Sequence, residues 1–309
     1  MSVIKREFSV LSSDKIHKLA GVIFVPDGEA KGYFHVVHGM TEHMGRYEPF
    51  MRSMAEDGWI CFGYDNLGHG RTVNDDSELG FIAPKKGWDL LCKDVKVFSD
   101  AVMSEYGNAD MPYCLMGHSM GSFIVRLASE KYVRPDRLIV MGTGGPNSAA
   151  GIGLVLIEIV KLLRGRKRVS KLLYKIIFGN YNKRFEGELA EAPSPWLTTN
   201  KEIRKNYSHD KYCTFKFSSS AIGDLVRVMK YSNRGAWYKN LPKDMPVLLV
   251  SGEEDPVGNY GKGVRSVSDK LKKQGIETKC LLYKGARHEI LNDFTYEDVK
   301  NDIMEFCKI

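Results

Sequence analysis

Residues 113–132 read YCLMGHSMGSFIVRLASEKY, and this stretch changes its character in the middle. Its first part is a short apolar run typical of a buried strand, and its second part has apolar residues at helical spacing. Between them stands GHSMG at 117–121, a G-x-S-x-G pattern in which a strand-to-helix turn leaves no room for side chains at the two glycine positions. The pattern predicts that Ser119 stands above a sheet with an accessible hydroxyl. An ordinary helix N-cap is the alternative role for this serine.

The same alternation of strand and helix extends outward from this turn over most of the chain. Amphipathic spacing predicts helices at 47–58, at 88–106, after Ser119, at 264–274 and at 292–307. A mostly parallel α/β sheet covered by helices on both faces is therefore expected, with an antiparallel edge at the first two strands, between which no helix is predicted. The predicted strands are LAGVIFVP (19–26), GYFHVVHG (32–39), WICFGYD (59–65), PYCLMG (112–117), RLIVMG (137–142), MPVLLVSG (245–252) and TKCLLYKG (278–285).

Length and composition favour one large domain with an insertion. A chain of 309 residues with 43% apolar residues can bury a substantial core. The alternation breaks after the strand at 137–142, which divides the chain into a core formed by 1–143 and 221–309 and a cap, or lid, formed by 144–220. Because the insertion follows a strand, we expect it at the carboxyl edge of the sheet, where α/β folds bind ligands.

Charge and cysteine usage limit the classes of partner and compartment. A net charge of +7 does not by itself indicate a nucleic-acid binder. The six cysteines lie far apart without a C-x-x-C pair, which fits reduced thiols inside a cell. The N-terminal stretch carries charges where a secretory signal needs apolar residues, and no apolar run has the length of a membrane span. A soluble cytoplasmic protein is expected.

Nucleophilic chemistry at Ser119 requires a base and an acid, because a serine hydroxyl reacts poorly until its proton is removed. For a nucleophile on this type of turn, the acid and then the histidine follow along the chain, each just beyond a strand. EEDPVG follows the strand at 245–252 and makes Asp255 the acid, in preference to Glu253 and Glu254, which lie nearer the strand end. ARHEI follows the strand at 278–285 and makes His288 the base.

An oxyanion hole is expected beside this serine. The backbone amide of Met120, at the start of the helix, is one donor, and the loop after the strand at 32–39 provides the second. In that loop His38 and Gly39 form a turn, which makes the amide of Met40 the second donor. A simple turn at the end of the strand is the alternative interpretation.

Five motifs together resemble the monoacylglycerol lipase and lysophospholipase group of serine hydrolases, within the α/β-hydrolase superfamily. The resemblance covers almost all of the chain outside the insertion and implies an α/β-hydrolase fold with a helical cap. It implies the catalytic residues Ser119, Asp255 and His288, with Met40 and Met120 as oxyanion-hole amides. The motifs are HGMTEHMGRY (38–47), YDNLGHGRT (64–72), GHSMGS (117–122), SGEEDPVG (251–258) and GARHEILND (285–293).

The same resemblance implies residues that hold the alcohol part of a substrate. These substrate-binding positions are Gly39, Glu42, Arg46 and His118. Thr41 stands where a glycine is usual in that loop. No metal or organic cofactor is required by this chemistry.

The cap carries most of the positive charge of the protein. Between 151 and 178 there are seven basic residues against one acidic residue, and apolar residues fall at helical spacing, which predicts two short amphipathic helices. One interpretation is that their apolar face packs over the catalytic pocket. The other is that the cap docks on an anionic membrane, which would place the protein at the inner membrane surface. Nucleic acid is not an expected partner.

The leading functional hypothesis is hydrolysis of monoacylglycerol-like lipid esters through an acyl-enzyme intermediate. A lysophospholipase, a general carboxylesterase and a serine peptidase of the same fold are the alternatives, and Glu42 could hold the amino terminus of a peptide. A ligand-binding protein without activity is disfavoured, because binding alone does not require a nucleophile with its base and acid.

Overall fold

The computed structural model describes residues 2–107 and 110–308. In this part of the chain eight strands form one sheet, in the order β1-β2-β4-β3-β5-β6-β7-β8. The strands are β1 (Val3–Leu11), β2 (Lys18–Pro26), β3 (Gly32–Val37), β4 (Trp59–Tyr64), β5 (Tyr113–His118), β6 (Arg137–Met141), β7 (Val247–Gly252) and β8 (Thr278–Tyr283).

Helices follow the strands and cover the sheet. They are α1 (Glu48–Glu56), α2 (Gly87–Tyr106), α3 (Met120–Lys131), α4 (Ala150–Arg164), α5 (Lys171–Phe178), α6 (Lys201–His209), α7 (Lys211–Thr214), α8 (Ser219–Tyr231), α9 (Gly235–Asn240), α10 (Lys262–Lys273) and α11 (Tyr296–Cys307). The predicted α/β class and mostly parallel sheet are therefore confirmed.

The antiparallel edge of the sheet is formed by other strands than the two that were predicted to form it. Strand β2 is antiparallel as expected, but its partners are β1 and β4, while β3 lies beyond β4 and is parallel to it. Strand β1 was not predicted from the sequence. Its segment, VIKREFSVL, is rich in charged residues because it forms an exposed edge, where charges discourage pairing with other chains.

Two apolar layers lie on opposite faces of the sheet, as alternate residues of β4 show. Ile60 and Phe62 belong to the layer beneath α2, α3 and α8, and Cys61 belongs to the layer beneath α1 and α11. Strands β3, β4, β5 and β7 are buried along their whole length, because helices cover both faces. This rigid platform fixes the strand ends from which the candidate site is built.

The fully described stretch between β6 and α8 contains α4 to α7 and contributes no strand to the sheet. The apolar spacing in the cap correctly predicted two helices, α4 and α5. The limits of the cap as a separate unit, 144–220, stay a prediction. Across residues 2–107 and 110–308, no helix has both the length and the apolar character needed to cross a bilayer.

Candidate active site

The turn after β5 has the geometry that its two glycines predicted. Ser119 adopts φ 53° and ψ −118°, outside the helical region, and α3 begins at the next residue. A Cβ on Gly117 would overlap the carbonyl group of Gly121, and a Cβ on Gly121 would overlap the carbonyl oxygen of Val37 on β3. The serine is thus held on a strained turn that other residues at the glycine positions would disrupt.

The candidate acid and base lie on the loops after the last two strands, β7 and β8. His288 follows β8, and its Nδ1 lies 2.9 Å from Oδ2 of Asp255, which follows β7. Both side chains are buried. The carboxylate is also fixed by two further donors, the backbone N–H of Val257 at 2.8 Å and the hydroxyl of Ser251 at 3.2 Å. Because Nδ1 donates to this carboxylate, Nε2 is the imidazole atom left to accept a proton.

Neither of the two glutamates near Asp255 is hydrogen-bonded or ion-paired with His288, and all three residues lie in the described part of the chain. Glu254 forms an ion pair with Arg184 at 3.0 Å near the surface, and the backbone N–H of Glu253 donates to Tyr283. Asp255 is therefore the carboxylate that the fold brings to His288, in agreement with its position three residues beyond the strand.

A cavity of about 370 Å³ brings most of the predicted residues together in its lining. Met40, Glu42, His118, Ser119, Met120 and His288 line it, whereas Gly39, Arg46 and Asp255 lie behind that lining and contact it through hydrogen bonds. The remaining wall is largely apolar and aromatic, and includes Phe123, Tyr174, Ile177, Phe178, Tyr181, Trp196, Leu197, Phe215, Leu225, Met229 and Val257.

The loop after β3 lies directly against the nucleophile turn. A Cβ on Gly39 would stand 3.0 Å from Cβ of Ser119, so the backbone there approaches the serine closely. Thr41, where a glycine is usual, adopts a left-handed φ of 52°. Its hydroxyl lies 2.8 Å from the hydroxyl of Tyr207 in α6, which stabilises that conformation. The assignment of Met40 and Met120 as oxyanion donors stays a prediction.

A buried polar network lies under the same loop. Glu42 accepts hydrogen bonds from the backbone of Gly39 at 2.5 Å, from Tyr47 at 2.9 Å and from Arg46 at 3.0 Å. Its carboxylate also lies 3.2 Å from Nδ1 of His118.

The charges of this network set the protonation of its members. Burial alone would lower the pKa of His118, but the hydrogen bond and the charge of Glu42 raise it above its usual value. Burial alone would raise the pKa of Glu42, but His118 and then Arg46 hold it well below its usual range. A carboxylate and an imidazole whose pKa values are both shifted toward the charged form therefore lie next to the candidate nucleophile.

Sequence reasoning missed two members of this network, Glu289 and Tyr47. Arg46 donates to both oxygens of Glu289, at 2.8 and 2.6 Å, and Tyr47 lies 2.8 Å from Nδ1 of His118. The position of Glu289 immediately after His288 was a signal for the first of them. For Tyr47 the signal was its place at the end of the HGMTEHMGRY motif.

Parts of the insertion contact two loops that carry the site, the loop after β8 and the loop after β3. The backbone N–H of Glu289 donates to the carbonyl of Leu197 at 2.7 Å, and the ring of Trp196 lies 5.0 Å from the ring of His288. On the other side, Tyr207 donates to the carbonyl of Thr41 at 2.9 Å. The segment 196–207 is therefore part of the site's framework.

In the outer part of the insertion, Tyr174, Ile177 and Phe178 of α5 line the cavity, as the first of the two interpretations predicted, but α4 does not follow it. The apolar residues of α4 that face water include Ile152, Leu162 and Leu163, with 78%, 86% and 76% of their surface exposed. Helix α4 instead packs against α8 through Ile157 and Val160. The prediction that this apolar face packs over the pocket is wrong for α4, because the buried face is formed by other residues.

The chain is also similar to a known protein family and to several known proteins. A family described as serine aminopeptidase S33 matches residues 28–295. The chain is 24% identical to monoacylglycerol lipase of Mycolicibacterium smegmatis, over 95% of this chain and 97% of that protein. It is 29% identical to monoglyceride lipase of Mus musculus, over 90% of this chain and 82% of the relative.

A solved structure agrees over nearly the full length. The thermostable carboxyl esterase from Bacillus coagulans, crystallised with glycerol, superposes with a TM-score of 0.89 at 28% identity and covers 98% of this chain and 97% of its own. The sheet, the flanking helices and these relatives identify a hydrolase with the α/β-hydrolase fold. Since the matched residues span most of the sequence, the chain belongs to the Hydrolase_4 family, described as serine aminopeptidase S33.

Proposed function

We propose that this hydrolase cleaves monoacylglycerol-like lipid esters, with Ser119 as nucleophile, His288 as general base and acid, and Asp255 as the residue that orients the imidazole. The observation that carries the proposal is that Ser119 and His288, which is paired with Asp255, line the same largely apolar cavity. Three of the relatives support it through their names, as monoacylglycerol lipase, monoglyceride lipase and an esterase with bound glycerol.

The proposed reaction has two halves. In the first, Oγ of Ser119 attacks the ester carbonyl, its proton passes to Nε2 of His288 and then to the leaving alcohol, and an acyl-enzyme remains. In the second, His288 takes a proton from water, the hydroxide attacks the acyl group, and the proton returns to Ser119 as the fatty acid leaves. The amides of Met40 and Met120 stabilise the oxyanion of each tetrahedral intermediate.

The wall of the cavity favours an acyl chain as the group that it binds. Each methylene that is buried contributes about 0.8 kcal/mol, so several carbons outweigh one polar contact to a head group. We therefore expect the rate to rise with acyl length until the cavity is full. A lysophospholipid stays the alternative substrate, because the lining also contains Lys216, which could contact a phosphate.

Peptidase activity is less well supported than ester hydrolysis. A residue that captures the amino terminus of a peptide needs a carboxylate whose negative charge is free to attract an ammonium group. Glu42 and Glu289 each already form an ion pair with Arg46. The positive charge of Arg46 weakens the attraction of either carboxylate for a substrate ammonium.

We also propose that α4 and α5 form a peripheral contact with anionic membrane. The exposed apolar residues of α4 lie beside the exposed basic residues Arg164, Lys171 and Lys175. An apolar face flanked by cations suits the boundary between acyl chains and anionic head groups. Such a contact would bring the cavity close to its lipid substrate.

A hydrolysis screen with a covalent probe tests the enzyme proposal. Monoacylglycerols, lysophospholipids, esters from acetate to palmitate and aminoacyl amides are compared, and Ser119→Ala serves as the negative control. We expect long-chain monoacylglycerols to be cleaved fastest, a fluorophosphonate to label Ser119, and Ser119→Ala to lose on the order of a millionfold in kcat. Labelling that persists in Ser119→Ala, a flat acyl-length profile, or aminoacyl amides as the best substrates would contradict the proposal.

A further inference from the structure

Three side chains of different chemistry meet beside the cavity, apart from the Ser119 site. His43 ends the loop after β3, Asp210 lies between α6 and α7, and Cys213 lies in α7. A ring nitrogen of His43, a carboxylate oxygen of Asp210 and Sγ of Cys213 all lie within 4.8 Å of one another. Within residues 2–107 and 110–308, this is the one group of three histidine, cysteine or acidic side chains that could hold a metal ion.

The separations are close to those that a zinc ion requires. Tetrahedral Zn²⁺ has bonds of about 2.0–2.3 Å, which places its ligand atoms roughly 3.3–3.8 Å apart. Nε2 of His43 now lies 2.9 Å from Oδ2 of Asp210, with a shared hydrogen between them. A cation that replaces this hydrogen needs each of the three ligand atoms to move by no more than about 1 Å. Small rotations of the side chains can provide such shifts.

The chemistry of the three ligands favours zinc over magnesium or calcium. Thiolate and imidazole suit Zn²⁺, whereas Mg²⁺ and Ca²⁺ take oxygen ligands. One carboxylate and one thiolate balance the two charges of the ion, and the proton of the Cys213 thiol leaves to solvent when the metal binds. Arg46 lies close enough for its charge to act on Cys213, but ion pairs with two glutamates already balance that charge.

The site is partly ordered for binding and remains open to an ion. Oδ1 of Asp210 accepts from the backbone N–H of Tyr212 at 2.8 Å, which orients the carboxylate and leaves Oδ2 toward His43. The side chains of His43 and Asp210 keep 21% and 33% of their surface exposed, so an ion can enter from solvent. Cys213 is buried and lines the cavity. Three protein ligands leave the fourth tetrahedral position to water.

We propose that His43, Asp210 and Cys213 form a binding site for Zn²⁺, which links the loop after β3 to the insertion at the edge of the cavity. Tyr207 joins the same two parts of the chain through Thr41, so the ion adds a second link beside an existing one. The ion takes no part in the Ser119 chemistry. Because it binds the folded arrangement of residues from distant parts of the chain, it stabilises the fold.

Metal binding is measured directly on the full chain after dialysis against a chelator. Titration with Zn²⁺ should show one site per chain, and a hundredfold excess over Kd should raise Tm by about 5 °C. Co²⁺, which accepts the same tetrahedral ligands, should give an intense thiolate-to-cobalt charge-transfer absorption in the near ultraviolet. Cys213→Ser should abolish this absorption and weaken Zn²⁺ binding by at least about a hundredfold.

Asp210→Asn is the second variant, because the asparagine oxygen can still accept from the backbone of Tyr212 and cap α7. It should weaken Zn²⁺ binding by at least about tenfold, while Tm without metal stays close to that of wild type. The matched controls are Cys280→Ser, which removes a partly buried thiol on β8, and His17→Gln, which removes a histidine paired with two carboxylates. Both controls should bind Zn²⁺ as the wild type does.

A wild type without the cobalt–thiolate absorption, or an absorption that persists in Cys213→Ser, would overturn the inference. An equal loss of affinity in Cys280→Ser would also overturn it, since Zn²⁺ would then bind thiols without regard to the site. Thermal unfolding without metal identifies misfolding, and Asp210→Asn provides the test if Cys213→Ser does not fold. Unchanged affinity in Asp210→Asn contradicts the site. Every readout is metal binding, so failure of the proposed hydrolysis would leave these results unaffected.

Discussion

Single residues of the nucleophile turn are constrained by sterics before any chemistry is considered. Gly121 lies in the first turn of α3, directly behind the end of β3, where a Cβ would overlap the carbonyl oxygen of Val37 and come within 2.7 Å of that of His38. Both atoms belong to backbone, which cannot rotate away as a flexible side chain can. The glycine is therefore required by the distance between helix and strand and not by its own φ.

Gly121→Ala is expected to destabilise the protein by at least about 1–3 kcal/mol, the usual cost of inserting an atom into a packed core. Urea unfolding gives the free energy of unfolding. Gly153→Ala is the matched control, because its Cβ would meet nothing within 4 Å on α4, and there alanine should be neutral or stabilising by about 0.5–1 kcal/mol. Equal stability of Gly121→Ala and wild type would show that the turn can relax.

The residues of the site differ in how far sequence alone could assign them. Ser119, Asp255 and His288 could be chosen because each follows a recognisable strand, and that distance along the chain also separated Asp255 from Glu254. The pairing of Arg46 with Glu289 joins residues 243 positions apart and leaves no local pattern. Contacts of this kind are determined by tertiary packing, so Glu42 and Arg46 could be named, but their respective partners Tyr47 and Glu289 could not.

Among the elements, α4 shows that a periodic apolar pattern can predict a helix without predicting which face of the helix is buried. The apolar residues that predicted this helix are largely its exposed face, while Ile157 and Val160 fix it to α8. Periodicity identifies an apolar stripe but does not say whether protein or lipid covers it. Strand β1 is the opposite case, since an edge strand needs few apolar residues and its charged sequence gave no strand signal.

The exposed face of α4 and α5 leads to a prediction about vesicle binding. Flotation with vesicles containing phosphatidylglycerol is compared with flotation with pure phosphatidylcholine. We expect the wild type to bind the anionic vesicles more strongly, and Arg164→Gln/Lys171→Gln to weaken that binding by about thirtyfold, since each basic residue near an anionic surface contributes about 1 kcal/mol. Leu162→Gln/Leu163→Gln should weaken binding to both kinds of vesicle.

The matched control for charge is Lys272→Gln/Lys273→Gln, which removes two exposed lysines from α10, outside the cap. This variant should bind as the wild type does. Equal recovery of wild-type protein with anionic and neutral vesicles would remove the electrostatic part of the membrane proposal, and equal losses in the two charge variants would mean that only net charge matters.

At the scale of the whole molecule, α8 joins the insertion to the core, because it packs against α4 on one side and against α2 and α3 on the other. A buried carboxyl group, Asp224, lies in this helix close to Gly87 at the start of α2. Burial raises the pKa of Asp224 to about 6, although a hydrogen bond from the backbone of Trp88 opposes the shift. The junction between insertion and core is therefore sensitive to pH.

The sign of that dependence follows from proton binding. An acid whose pKa is higher in the folded state keeps its proton there when the unfolded chain has lost it, so the stability of the fold decreases as pH rises from about 4 to about 6.

Asp224→Asn removes the ionisation but retains an oxygen that can accept from Trp88. We expect this variant to be more stable than wild type by up to about 3 kcal/mol at pH 7.5, with the gain shrinking toward zero near pH 4. Urea unfolding across this range measures it, and Asp100→Asn, an exposed aspartate paired with Lys96, should show no comparable gain. A gain for Asp224→Asn that is the same at both ends of the range would mean that packing, and not the buried charge, limits stability at the junction.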